Sequence, residues 1–203
     1  LDSFITVSFW QFGNPAIQPQ SQTTFEGIDA LGRRVINLHL PWGDSNVYWD
    51  AGNSNSGSYD RINKLANLSD FSGQWNHWAF TKNCVTGSMK IYLNGHLWHS
   101  GTGLTRVMTG IDRFKIGSTG TGGLNYDGNI DEFAIFNSEL DSTTIQNWMF
   151  KDIDNTHPFY SNLLAYNKFN DAPAAQAADS GPNGLNGGYF GTPETPFIAA
   201  PTI

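Results

Sequence analysis

The feature that most constrains this chain is a succession of short runs in which β-branched and aromatic residues alternate with polar ones, each cut off by Gly, Asn or Asp. Phe4–Trp10 (FITVSFW), Val35–Leu40 (VINLHL), Asn46–Asp50 (NVYWD), Trp75–Lys82 (WNHWAFTK), Met89–Leu93 (MKIYL), His96–His99, Arg113–Ile116 (RFKI) and Ile130–Phe136 (IDEFAIF) all have this form. A period of two places one set of side chains in a core and the other outside, which is the pattern of a β-strand. The breaks carry turn chemistry: Thr86-Gly87 predicts one hairpin, and Asn94-Gly95 a second with a type I′ turn. Longer loops are expected through the Ser/Asn/Gly stretch ending at Gly57 and through the Gly-rich segment 117–129. Only Asp141–Phe150 (DSTTIQNWMF) reads as a helix, with Asp141 or Ser142 as its N-cap. Many short strands at this spacing, without alternating helices, predict an all-β, two-sheet antiparallel jelly-roll sandwich with one short helix.

Charge then removes whole classes of partner. Charged residues make up 14% of the 203, against about 25% in an ordinary soluble domain. With 14% aromatic residues, the chain is polar without the composition of a disordered segment. A net charge of −7 argues against nucleic acid and anionic membrane surfaces, which call for a basic face. No apolar run approaches the 18 or so residues of a membrane span, so membrane insertion is not expected. The opening LDSFITVSFW lacks a basic n-region and does not read as a signal peptide. A single cysteine, Cys84, leaves no internal disulfide and no cysteine-based zinc site.

The order TVSFW, then SGQWNHWAFTKN, GSMKIYLNGHLWHSG, IDRFKIGS and YDGNIDEFAIFNSELDSTTIQ resembles the laminin G-like, concanavalin A-like jelly-roll family over roughly residues 4–150. The stretch HLPWGDSNVYWDAGN with YDRINK is similar to versions found in large secreted bacterial surface proteins. Members usually open with a strand of the type YYKFD followed by DSSGNG, and that opening is missing ahead of Thr6. A similar pattern stands near the other end, in Leu164–Asp171 and Asp179–Gly184. The expected organisation is therefore a laminin G-like domain over 1–160 and a C-terminal segment, 161–203. That segment either begins a following module or supplies strands to this one. The Pro/Ala stretch 172–178 and the final TPETPFIAAPTI read as linker.

Enzymes share this fold, so the adjacent acids Asp131 and Glu132 invite a hydrolase reading. Glycoside hydrolysis needs two carboxyl groups on one face, and adjacent residues of a regular strand point to opposite faces. No catalytic residue is assigned on that ground. The five histidines accompany no Gly-x-Ser-x-Gly elbow, and His77, opposite in parity to Trp78 and Phe80, reads as a packed structural histidine.

Two clusters of oxygen-bearing side chains could hold Ca²⁺, which relatives in this family bind at a rim of the sandwich. One is Asp44, Ser45, Asn46, Asp50 and Asn53; the other is Asn125, Asp127, Asn129 and Asp131. The competing reading is that these residues simply form turns. The ligand-binding candidates are Trp42, Asp44, Trp49, Tyr59 and Arg61, with Tyr48 and Asp60 interleaved: aromatic rings for a pyranose face, and polar groups for its hydroxyls. Tyr48 and Trp49 must point opposite ways, so one of them belongs to the core.

These readings converge on a non-catalytic recognition or adhesion module of a secreted or cell-surface multidomain protein. The expected partner is a glycan or glycoprotein, alongside other domains of the same chain. The alternatives are a structural spacer attached to an enzyme, and a carbohydrate-active enzyme of the same fold.

Overall fold

A computed structural model describes residues 2–53, 58–170 and 176–191; the end of the expected loop at 54–57, residues 172–175 of the expected linker 172–178, and the final TPETPFIAAPTI lie outside the described residues. Among the described residues, eleven strands form two antiparallel sheets. They are β1 (Phe4–Gly13), β2 (Phe25–Ile28), β3 (Arg34–His39), β4 (Asn46–Ala51), β5 (Asp60–Leu65) and β6 (Trp75–Asn83). After these come β7 (Ser88–Leu93), β8 (His96–Gly101), β9 (Arg113–Ile116), β10 (Gly128–Phe136) and β11 (Leu163–Asn167). The six-stranded sheet runs β11-β10-β1-β6-β7-β8 and the five-stranded sheet β5-β4-β3-β2-β9. This is a jelly-roll sandwich, as the alternating runs imply.

The strand period decides the core. Ile5, Val7 and Phe9 of β1 point inward, meeting Trp78 and Phe80 of β6, Phe25 of β2, and Val47 and Trp49 of β4. Phe9 stacks on Phe133 with ring centres 5.4 Å apart, and Phe25 crosses Phe133 edge-on at 5.7 Å. Such pairs add to the burial of large apolar area that holds the sheets together. One polar side chain crosses the same interior: Lys82 of β6, fully buried, donates to the Ala51 carbonyl of β4 at 2.8 Å and to Asp60 Oδ2 at 2.7 Å. Burial lowers its pKa, and the Asp60 carboxylate opposes that shift.

A second, smaller core covers the outer face of the six-stranded sheet. The helix α2 (Ser142–Trp148) buries Ile145 there beside Ala79, Tyr92, Phe136 and Tyr166. Asp141 is its N-cap, accepting from the Thr144 N–H at 2.7 Å. A one-turn helix, α1 (Leu68–Phe71), lies between β5 and β6. The Asn94-Gly95 hairpin has φ of 49° and 78°, both left-handed as a type I′ turn requires.

Residues 163–167 lie within the six-stranded sheet, with β11 pairing antiparallel to β10. The chain after them folds back onto that edge: Asp179 Oδ1 accepts from the Tyr166 N–H, and Asn183 Nδ2 donates to the Leu163 carbonyl.

One register irregularity reverses an expectation. Ser8 faces Ala134 across β1–β10, but Trp10 faces Asp131, so β10 carries one extra residue between them. This β-bulge is centred on Glu132, whose φ is +52°. Asp131, directly opposite Trp10, shares Trp10's outer face, and Glu132 reaches the hydroxyl of Tyr166 on that same side. The two carboxylates do not point to opposite faces, because the bulge resets the alternation that the strand pattern implies.

Candidate binding face on the five-stranded sheet

Alternation along β4 sends Asn46, Tyr48 and Asp50 outward and Val47, Trp49 and Ala51 inward. Trp49 is a correction to the sequence reading: it is fully buried between the sheets and donates Nε1–H to the Thr81 carbonyl at 3.2 Å, so it cannot meet a ligand. Tyr48 is the outward ring of the pair. Across the ladder, Tyr48 faces His39 on β3 and Asn63 on β5, while Asp50 faces Asn37 and Arg61.

Asp50 organises this face. Its buried carboxylate accepts from Arg61 Nε at 2.5 Å, Arg61 Nη2 at 2.7 Å and Arg34 Nη1 at 2.6 Å. Arg34 Nε also reaches Glu26 Oε1 at 2.9 Å. The forked contact from Arg61 fixes the plane of its guanidinium. Its Cζ sits 4.8 Å from the ring centre of Tyr48 and 5.1 Å from that of Tyr59; the Cζ of Arg34 lies 5.2 Å from the ring centre of Tyr59. Cation–π contact and the fork together hold two half-buried tyrosine rings in place. The hydrogen bond to Asp50 raises the pKa of Arg61 further, so its charge is permanent.

At the β3–β4 turn, Asp44 is exposed. Its Oδ2 accepts from the Tyr48 hydroxyl at 2.6 Å and its Oδ1 from the Asn46 N–H at 2.9 Å. The Tyr48 hydrogen bond lowers the Asp44 pKa and raises that of Tyr48. Trp42 starts the same turn, half-buried, its indole edge-on to His39 with centres 4.4 Å apart. His39 is itself buried and its Nδ1 lies 2.7 Å from the Gln22 carbonyl; desolvation lowers its pKa. The structure thus brings Asp44, Tyr59 and Arg61 onto one face, joined by Tyr48 and Arg34, with Trp42 at its turn end. Arg34 carries no local signal of its role, because its partner Asp50 is sixteen positions away and on another strand.

The acids of the two expected calcium clusters have other partners. Asp50 is engaged by two guanidiniums, which repel a cation, while Asp44 spends its oxygens on Tyr48 and Asn46. Asn53 is fully buried at the end of β4 rather than beside Asp44. In the second cluster, Asp127 Oδ1 accepts from Asn14 Nδ2, and Asp131 Oδ1 from the Glu132 N–H. Among the described residues, no group of three or more His, Cys, Asp or Glu is placed to hold a metal ion.

The comparisons agree with this architecture. A laminin G-like family model, described as the concanavalin A-like lectin/glucanases superfamily, matches residues 2–146. No curated protein sequence matches. Among solved structures, a Bacteroides ovatus protein named a "putative carbohydrate binding protein" is 16% identical, with a TM-score of 0.62 over 88% of this chain and 49% of its own. The receptor-binding domain of botulinum neurotoxin type G is 18% identical, with a TM-score of 0.57 over 71% of this chain and 37% of its own. The binding domain of botulinum neurotoxin DC, solved in complex with rat synaptotagmin II, is 20% identical, with a TM-score of 0.51 over 71% and 35%. This chain spans half or less of each, and at these identities the likeness is one of fold. No helix among the described residues is long and apolar enough to cross a membrane. Through the match over residues 2–146, the chain belongs to the laminin G-like family of the concanavalin A-like lectin/glucanase superfamily.

Proposed function

We infer that this chain is a non-catalytic binding module of a secreted or cell-surface protein, and that its ligand is a neutral saccharide held on the outer face of the five-stranded sheet. One observation carries the reading: Asp50 locks the Arg61 guanidinium between the half-exposed rings of Tyr48 and Tyr59. Pre-organised rings beside polar groups suit a sugar, whose faces are apolar and whose edges are hydroxyls. Both guanidiniums are already neutralised by Asp50 and Glu26, and Asp44 adds a negative charge, so the face offers an anion little. The fold neighbour named for carbohydrate binding supports the same reading.

A glycan array followed by calorimetric titration tests it. Binding of a neutral glycan is expected, with loss in Tyr48→Ala and Tyr59→Ala. Trp42→Ala is expected to weaken it too, at a stability cost of about 1–2 kcal/mol, below the roughly 3–5 kcal/mol of a fully buried Trp. Array hits unchanged by all three substitutions, or no hit at all, would overturn the proposal. Asp131 and Glu132 sharing a face favours one second reading, polysaccharide hydrolysis. Turnover by the native chain that vanishes in Glu132→Gln would establish that reading instead.

A further inference from the structure

The opposite side of the sandwich holds a concavity that the five-stranded face does not explain. It lies on the outer face of the six-stranded sheet, where the Glu132 bulge, the end of α2 and the edge strand β11 meet. A small cavity of about 30 Å³, room for one or two water-sized groups, is lined there by Trp10, His77, Glu132 and Tyr166. It adjoins an open cleft of about 550 Å³, within the range of small-ligand sites, and the two share Glu132, Trp148, Phe150 and Lys151.

Three features of the inner cavity call for a polar occupant. His77 is 5% exposed and its ring Nδ1 has no hydrogen-bond partner, a costly arrangement for a buried nitrogen. Burial lowers its pKa to about 3, so it is a neutral imidazole. Glu132 is brought to the same place by a left-handed backbone that a glutamate rarely adopts, and a bulge of this kind re-aims a side chain. Its carboxylate accepts the Tyr166 hydroxyl, and burial raises its pKa.

The outer cleft adds the remaining chemistry. Trp148 and Phe150, both half-buried, give it an apolar wall; Phe150 leans on Trp10 at 5.2 Å between ring centres. The rim sets Lys151 and Lys168 against Asp152 and Asp154, with Lys168 paired to Asp152 at 2.6 Å and Lys151 over the Trp148 ring at 5.2 Å.

We propose that this cleft is a second saccharide site, in which a hydroxyl or hydroxymethyl group of a neutral sugar enters the cavity, hydrogen-bonds Glu132 and His77, and leaves its ring against Trp148 and Phe150. The inference rests on the reading of the chain as a saccharide-binding module but not on the five-stranded face, whose residues it does not use. Two sites on opposite faces make the module able to bridge two sugar chains or two points of one polymer, so that weak sites act together.

The test maps backbone amide and indole chemical shifts of the native protein during titration with millimolar methyl glycosides of glucose, galactose, mannose and N-acetylglucosamine. Shifts at Trp148, Phe150, Glu132 and His77 are expected with at least one of them. Trp148→Ala should abolish these shifts, and Glu132→Gln should weaken binding there about tenfold, the loss expected for a hydrogen bond to a charged group. Tyr48→Ala should leave them intact. No shift at the cleft with any of the four glycosides, or shifts that survive Trp148→Ala, would overturn the inference. Shifts confined to Tyr48 and Tyr59 would overturn it while upholding the five-stranded face; shifts confined to the cleft would do the reverse. The native titration decides the matter even if a variant does not fold.

Discussion

Replacing Asp50 by Asn removes one negative charge from beneath two guanidiniums while keeping the side chain's size. The carboxylate has no solvent exposure and takes three charge-assisted hydrogen bonds, two from Arg61 and one from Arg34. Breaking a buried ion pair typically costs about 3–5 kcal/mol when the surviving charge stays trapped. Here the survivors are not trapped: the side chains of Arg34 and Arg61 are 22% and 36% exposed and can recover part of their hydration. The expected loss is therefore about 2–3 kcal/mol, below that range. For a domain of this size each kcal/mol lowers Tm by about 2–4 °C, giving a fall of about 4–12 °C. Urea denaturation with an unchanged m-value would measure it, and a cycle with Arg61→Ala should return a coupling energy of at least 1 kcal/mol or so. Saccharide binding should also drop, although Asp50 touches no ligand, because the guanidinium between the tyrosines loses its anchor. A stability change below about 0.5 kcal/mol, the usual size for surface substitutions, would show that the carboxylate does not organise this face.

Two further outcomes follow from the outer core. His77 is held neutral, with a folded pKa of about 3 against an ordinary value near 6.5. The unfolded chain gains that proton below about pH 6.5 and the folded one does not until about pH 3, so this contribution is complete above pH 6.5 and is lost as pH falls through that window. Between pH 7 and pH 5 it amounts to about 2 kcal/mol, and urea denaturation of His77→Phe should show a pH dependence smaller by that amount. An identical pH dependence in the variant would refute the burial argument. Asp141→Ala removes the N-cap of α2 and should cost about 1 kcal/mol, read as a 2–4 °C fall in Tm; no change would mean that α2 is held by Ile145 packing alone.

β1, β3, β4, β6 and β7 stand where the alternation of residue types puts them, although β1, β3 and β6 are buried along almost their whole length. β2 escapes because it is only four residues long and two of them, Glu26 and Gly27, are poor strand formers; Glu26 is buried there, held by Arg34 and by the Gly120 N–H. β5 escapes for another reason: of DRINKL only Ile62 is buried, so an edge strand looks like a polar loop. The candidate face was legible in its residue types, but parity alone could not say whether Tyr48 or Trp49 was the outward ring; packing against Thr81 and Phe80 decides it. The Glu132 bulge had no sequence signal, since a left-handed residue there would ordinarily be Gly or Asn. One unannounced residue was enough to move a carboxylate to the other face.

That bulge has a consequence for chain length. On either side of it the β1–β10 ladder is regular, with Phe136 opposite Thr6 and Ala134 opposite Ser8 before it, and Asp131 opposite Trp10 and Ile130 opposite Gln11 beyond. Excising residue 132 alone would let Phe133 fall opposite Phe9 and join the two halves into one uninterrupted ladder, with every remaining inward side chain still inward. Deleting a residue well inside either half would instead turn part of the strand inside out. Position 132 is thus a point where this strand can shorten by one residue and keep its fold. Relatives that differ by a single gap here would share the sandwich and lack the carboxylate at the base of the cleft.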